Sequence, residues 1–264
     1  MGNKIDTTQS CFAGNYASWE EAVRDATGYD TTAIFDKVRS SLLKVKRGEA
    51  VYERDSVLFD RIEHPFPLLA FLLRIAVENG NSLQLVDFGG SLGTTYFQTR
   101  SFLSVLKDIR WAIVEQPQFV ACGKEMFADG KLSFHDSIAE AKAATGANTV
   151  LLSGVIGYVP KPEVVIDTIL AENFQWIIFD RTAFIDAPKT RIVVHTAPES
   201  VYSASYPKRL FNRRDLLSYF QGRCDLITWF SSYCDPEEYI DQIRVCHEGF
   251  VLRNRISPTN LVRG

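Results

Sequence analysis

Two rhythms of apolar and polar positions divide the chain near residue 80. Before it, Ile34, Phe35, Val38, Leu42 and Val45 recur at helical spacing, with Lys37, Arg39, Lys44 and Lys46 off that stripe. Ser18 and Glu21 stand at capping-box spacing and predict a helix start, and Gly48 predicts a stop. A further helix is expected to open near Pro65 and Pro67, to bury Leu68, Leu69, Leu72 and Ile75, and to end at Asn79-Gly80. From Ser82 the pattern changes to short apolar runs separated by helix-length segments. The expected strands are 83–88, 111–115, 132–135, 149–153 and 176–180, with helices starting near Thr94, Pro117, Ser137 and Lys161. Such alternation predicts a parallel sheet covered on both faces. After Asp180 the rhythm loosens. Residues 191–195 read as a strand, 197–207 as a loop, 212–220 as a helix, and 226–230 and 249–253 as two strands antiparallel to each other. The expectation is an α/β fold: a helical N-terminal extension over residues 1–80, and over 81–264 a Rossmann-like sheet of about seven strands.

Composition narrows the function classes. The 264 residues are 46% hydrophobic and 23% charged, enough to bury a full core. A formal net charge of -3 argues against a nucleic-acid partner, which calls for a basic surface. The five cysteines are scattered without a C-x-x-C, so reduced thiols are expected and no metal site. The richest apolar run, Pro67 to Leu73, is cut off by Arg74, far short of the ~20 residues of a membrane span. The N-terminus lacks a signal-peptide core, and Asp6 stands where a myristoylation motif wants Ser or Thr. The chain reads as cytoplasmic.

The strongest motif is Leu85-Val86-Asp87-Phe88-Gly89-Gly90-Ser91-Leu92-Gly93, a buried strand entering a glycine turn and then a helix. Gly89 and Gly90 would let backbone approach a ligand, and the helix start would present free amides to a carboxylate. Asp87 could accept from an ammonium or orient the loop. One strand later, Glu115 in Val114-Glu115-Gln116-Pro117 stands where a ribose diol is gripped, and Asp136 after the third strand could accept from an adenine amino group. These acids would converge on one crevice, which predicts a nucleotide-type site. A nicotinamide fingerprint wants G-x-G-x-x-G and a Walker loop wants G-K-[ST]; the stretch supplies neither.

The loop resembles the first motif of class I S-adenosylmethionine-dependent methyltransferases, acid-x-G-x-G-x-G. Asp87, Gly89 and Gly93 match, and Ser91 replaces the middle glycine beside Gly90. Over most of the chain, Ser18 to Ala22, Lys44 to Ala50, Tyr52 to Ser56, Asp87 to Gly93, Val114 to Pro117 and Ser205 to Pro207 are similar to a bacterial methyltransferase family often associated with surface-polysaccharide gene clusters. The resemblance implies the methyltransferase version of the Rossmann-like sheet. It implies S-adenosylmethionine held by Asp87, Gly89, Gly90, Ser91, Gly93, Glu115, Gln116 and Asp136, with Ser153 and Gly154 beside the sulfonium. Tyr158 would wall a small-molecule or sugar-like acceptor, methylated on oxygen or nitrogen.

Methyl transfer asks the protein for alignment, exclusion of water and, for a hydroxyl, a base. Asp180, at the tip of the fifth expected strand, and His195 are the base candidates, with a salt bridge from Asp180 to Arg181 as the bland alternative. Tyr52 and Arg54 are expected in a lid over the crevice. Arg181, Tyr202, Tyr206 and Arg209 are expected to line the acceptor pocket. The competing functions are a non-catalytic S-adenosylmethionine-binding protein and an NAD-dependent Rossmann oxidoreductase.

Overall fold

The computed structural model describes residues 11–27, 31–197 and 204–255. In chain order the elements are β1 (Phe12–Tyr16), α1 (Trp19–Asp25), α2 (Thr31–Lys46), β2 (Tyr52–Arg54), β3 (Val57–Phe59), α3 (Phe66–Glu78), β4 (Ser82–Phe88) and α4 (Thr94–Leu103). Next come β5 (Asp108–Val114), α5 (Pro117–Met126), β6 (Leu132–His135), α6 (Ile138–Thr145), β7 (Thr149–Ser153), a 3₁₀ turn (Ile156–Tyr158) and α7 (Pro162–Ala171). The rest comprises β8 (Trp176–Ile185), β9 (Arg191–Thr196), β10 (Ser205–Leu210), α8 (Arg213–Ser218), β11 (Cys224–Ser231), β12 (Glu238–Ile240) and β13 (Ile243–Asn254).

The central sheet runs β11-β13-β8-β7-β4-β5-β6, with β12 attached to β13. Pairs from β6 across to β8 are parallel, and β13 is antiparallel to both its neighbours. This is a mostly parallel Rossmann-like sheet with a path of seven paired strands, as expected from the chain's alternation of strands and helices. The chain builds outward from β4 through β5 to β6, then returns to start β7 on the other flank of β4. Such a reversal opens a crevice beyond the carboxyl ends of β4 and β7, where ligands bind in open sheets.

Apolar residues of α2, α3, α4 and α5 cover one face of the sheet, and those of α6, α7 and α8 the other. The helices α2 and α3 therefore share the main core: Leu42, Val45, Leu68, Leu72 and Ile75 are buried in one cluster with Leu85 and Trp111. The described residues before Ser82 include more than helices. Phe12–Tyr16 is a strand that pairs with β9, and Tyr52–Phe59 forms a hairpin whose two turn residues, Asp55 (φ 51°) and Ser56 (φ 68°), are both left-handed. That is the turn geometry matching the twist of paired strands. The loop expected over 197–207 also differs. Ser205 begins a strand, and Pro207 is tolerated because β10 is an edge of the small sheet β1-β9-β10.

One irregularity shapes the site. Phe179 pairs with Phe250 and Thr182 with Glu248, so Asp180 and Arg181 together oppose Gly249. A β-carbon on Gly249 would lie 2.2 Å from the Phe230 ring and 2.8 Å from the Phe179 carbonyl, so only glycine permits this bulge. Bulges of this kind re-aim side chains. Beyond it, β8 and β13 continue as a ribbon covered by the small sheet, with Ala183, Ile185, Val193, Leu210 and Val245 buried between them.

Candidate functional site

The glycine loop frames the crevice at the switch point. Gly89 (φ 72°), Ser91 (φ 55°) and Gly93 (φ 110°) are all left-handed. A β-carbon on Gly89 would sit 2.3 Å from Val155 Cγ2, and one on Gly90 would sit 2.6 Å from the Asp87 carboxyl. The glycines thus make room first for protein, Val155 from the loop after β7 and Asp87 from below, rather than for a ligand directly. Asp87 is fully buried beneath the turn. Its Oδ2 accepts from Trp111 Nε1 at 3.0 Å, its Oδ1 has no partner, and burial raises its pKa to about 7. Of the two roles expected for Asp87, its place is that of a loop support.

Glu115 stands at the tip of β5 with its carboxylate turned toward the glycine loop. Oε1 accepts from the Ser91 amide at 3.3 Å and Oε2 from the Gln116 amide at 2.8 Å. These bonds hold the carboxylate beside the loop, and burial raises its pKa. Gln116 is exposed and stands just before α5, with no side-chain bond to the helix start. Asp136, past β6, is exposed with Lys124 at 3.8 Å. Its neighbour His135 is engaged structurally, between Ser133 Oγ and Glu140 Oε1. Across the crevice, Ser153 Oγ donates to Asp180 Oδ2 at 2.9 Å, and the Gly154 amide to the Asp180 carbonyl at 2.9 Å. Asp180 is buried, which raises its pKa to about 6.

The N-terminal hairpin packs beside the start of α4 and the bulge of β8. Tyr52 is buried, its hydroxyl 3.2 Å from that of Tyr233. Arg54 donates to Glu63 at 2.7 Å and lies over the Phe59 ring. The residues that reach the sheet are the ones between and after them. Glu53, 1% exposed, accepts from Thr94 Oγ1 at 2.8 Å and from the Ser56 amide, and burial raises its pKa to about 7. A protein carboxylate therefore stands at the start of α4, where a ligand carboxylate is expected from the sequence. Asp55 accepts from Arg181 at 3.0 Å, and Arg181 grips Asp235 with two further bonds of 2.9 and 3.0 Å. Arg181 bridges these two acids and makes no salt bridge to Asp180; Asp235 is held below the usual carboxylate range by that guanidinium.

His195 lies apart from Asp180, on β9. Its ring centroid is 5.2 Å from those of Phe12 and Tyr206, and its Nδ1 is 3.4 Å from the Tyr158 hydroxyl. Burial and the nearby Lys208 depress its pKa to about 3, so it stays neutral and is a weak base. Tyr158 and Tyr206 meet edge to face at 5.3 Å. Arg209 faces away from this cluster, over the Trp19 ring, and donates to the Val159 and Pro160 carbonyls. Tyr202 lies outside the described residues. Glu53 was marked only as part of the polar run Tyr52 to Asp55, and Lys208, Tyr233, Asp235 and His247 went unmarked in the sequence. A period-2 reading of Tyr206, Lys208 and Leu210 would have flagged Lys208, but Pro207 argued against a strand there.

No family model matches this chain, and no curated protein does. Among solved structures, the N-terminal domain of EvdMO1, solved with S-adenosylhomocysteine and D-fucose, is 13% identical; the match covers 86% of this chain and 98% of that one, with a TM-score of 0.49. The 1,6-didemethyltoxoflavin-N1-methyltransferase of Burkholderia thailandensis is 14% identical over 95% and 98% of the two chains, with a TM-score of 0.45. An S-adenosylmethionine-dependent methyltransferase of Clostridium acetobutylicum is 10% identical over 70% and 89%, with a TM-score of 0.44. These are likenesses of overall shape; the chemistry rests on the site itself.

Proposed function

We propose that this chain is an S-adenosylmethionine-dependent methyltransferase acting on a small, sugar-like acceptor. The observation that carries the reading is the sign of the crevice. Asp87 ends β4 beneath the glycine loop, Glu115 follows β5 beside it, Asp180 lies at the bulge in β8 bonded to Ser153 at the end of β7, and Glu53 adds a carboxyl group at the start of α4. This arrangement suits a ligand bearing a sulfonium and an ammonium. It opposes a pyrophosphate, which needs the helix start free of negative charge, and so disfavours a nicotinamide dinucleotide.

In this reading Glu115 takes the ribose hydroxyls with the lone pairs left by its amide bonds. Gly89, Gly90, Ser91 and Gly93 shape the loop over Asp87, while Gln116 and Asp136 flank the base. Ser153, Gly154 and Asp180 face the sulfonium side, where a fixed negative charge favours the cation. When bound, S-adenosylmethionine supplies an activated methyl group with a good leaving group. The protein aligns the acceptor and excludes water. The hairpin is a lid latched by Asp55 to Arg181, with Tyr52 and Arg54 bracing it from behind. Tyr158 and Tyr206 belong to the acceptor side. A place in surface-polysaccharide assembly is what the family resemblance implies, and the cytoplasmic location rests on the sequence reading alone. Among the described residues, no helix is long and apolar enough to cross a membrane.

Calorimetric titration with S-adenosylhomocysteine and with NAD tests the reading. Saturable binding of the first and none of the second is expected, with residues 50–60 slowed in amide hydrogen exchange by the bound ligand. NAD binding in preference to S-adenosylhomocysteine overturns it.

A further inference from the structure

The ribbon formed by β8 and β13 and the small sheet over it enclose a core that changes character along its length. At the far end it is apolar, with Ile185, Val193, Leu210, Ile240 and Val245. Toward the crevice the same faces carry Lys208 and Tyr206 from β10, His195 from β9 and His247 from β13. Lys208 is 6% exposed. Its Nζ lies 3.4 Å from His247 Nε2, 4.8 Å from the centre of the Tyr158 ring and 5.1 Å from that of Phe12. Among the described residues, no carboxylate lies within 4.0 Å of it.

The cluster is joined to the crevice through the 3₁₀ turn. A β-carbon on Gly157 would stand 3.0 Å from the Arg209 carbonyl and in ordinary contact, at 3.5 and 3.8 Å, with Lys208 Cγ and Cε, so the turn packs directly on β10 at Lys208. The turn begins two residues after Gly154, at the tip of β7. A buried ammonium without a carboxylate is costly, and the group relieves the cost by losing its proton. Burial lowers the Lys208 pKa. Arg181 from β8 pushes the same way, while Cys11, Asp235 and Glu238 oppose it at longer range. His247 and His195 are neutral, each with its pKa pushed down to about 3.

We propose that Lys208 is the general base of the acceptor site, its neutral amine accepting the proton of a sugar-like hydroxyl held against Tyr158 and Tyr206. The proposal rests on the methyltransferase reading and sharpens it to O-methylation. The acceptor hydroxyl hands its proton to the lone pair of Lys208 Nζ while its oxygen forms the new bond to the methyl carbon. The electron pair of the breaking sulfur–carbon bond stays on sulfur. A sulfonium, an amine and an alcohol become a thioether, an ammonium and a methyl ether, with charge conserved. His247 Nε2 then receives a hydrogen bond from the ammonium. Aromatic faces suit the apolar face of a pyranose ring, and an amine with no counter-ion suits a neutral acceptor.

The test labels lysine side chains with ¹³C at Cε in the full chain saturated with S-adenosylhomocysteine, and follows each signal with pH. The signal missing from Lys208→Met belongs to Lys208. It is expected to titrate below the other lysines, which ordinarily do so near ~10.4. Titration together with the others overturns the proposal, as does a return to their range on adding D-glucuronate, which would make Lys208 an anion-binding group. Lys208→Met is expected to keep S-adenosylhomocysteine affinity within about twofold; a loss of tenfold or more would place Lys208 on the donor side and overturn the assignment. Methyl transfer from radiolabelled donor to a panel of free and nucleoside-diphosphate-linked hexoses is expected to rise with pH along the Lys208 titration. It should fall at least about a hundredfold in Lys208→Arg, which keeps the charge and lacks a titratable base. A rate limb at another pH, or no transfer to any sugar of the panel, overturns the proposal. Failure of the parent to bind S-adenosylhomocysteine would instead strike the methyltransferase reading, and the titration would still report the state of Lys208.

Discussion

The two ends of the crevice are built on opposite plans. At the donor end, the glycine loop follows one strand and Glu115 ends the next, so the groups from Asp87 to Glu115 lie within 29 positions of sequence. Its buried charges are carboxyls, with Asp87 and Glu53 both raised to about 7. At the acceptor end, Tyr158, His195, Lys208 and His247 come from four separate elements and meet through strand pairing. Its buried groups are bases with lowered pKa values. A cationic donor is matched to the first environment and a neutral hydroxyl to the second. One residue ties the halves: Arg181, placed by the bulge, bonds the hairpin at Asp55 and the β11–β12 connection at Asp235.

Breaking that tie is expected to have the largest effect. Arg181→Ala leaves the mostly buried Asp235 without its partner and should cost about 3–5 kcal/mol, seen as a lower urea midpoint. Loss of hairpin protection in hydrogen exchange should accompany it. Stability equal to the parent would show that the two ends are joined by packing alone.

Gly89→Ala attacks the donor end at its closest approach. The added methyl meets Val155 and the residue is left-handed, so about 2–4 kcal/mol of stability should be lost, together with S-adenosylhomocysteine binding. The Lys208 titration should be unchanged. Were Gly89→Ala to unfold nothing and bind normally, the contact with Val155 would be slack.

Glu115→Ala is expected to be gentler on the fold and specific for the donor. Removing the acceptor of a buried diol costs about 1–3 kcal/mol, roughly ten- to a hundredfold in affinity, read by calorimetry on the folded variant. Unchanged affinity would remove Glu115 from the site.

The smallest effect separates the ends by pH. Glu53 has a folded pKa of about 7, above its unfolded value near ~4.3, so the protonated form stabilises the fold. That stability is complete below the unfolded value and is lost as pH rises through the folded one. Glu53→Gln should therefore gain on the parent between pH 5 and 8, by about 1–2 kcal/mol. Lys208 titrates in the opposite sense. Its lowered pKa penalises the fold at acid pH, and the penalty fades as pH rises toward the unfolded value, so Lys208→Met should gain most at the acid end. Parallel pH profiles for the two variants would erase the contrast between the ends.

The sequence by itself determined the alternation of strands and helices from Ser82 to Asp180, the glycine loop, and the acids that follow successive strands. Those features depend on local periodicity and on residues close in the chain, which is where pattern carries information. It also marked Tyr52 to Asp55 as a polar run against apolar neighbours and assigned Tyr52 and Arg54 to the crevice, whereas Glu53 and Asp55 are the two that bond Thr94 and Arg181. Register and turn type choose between Tyr52 with Arg54 and Glu53 with Asp55, and one residue of register exchanges the two faces. Only the tertiary structure decided that choice. It alone brought Lys208 against His247, 39 positions apart in the chain, and freed Arg181 from Asp180 through a bulge opposite Gly249. The physical reason is the same in each case: a strand's partner and register are set by what it packs on, and that information lies in the rest of the fold.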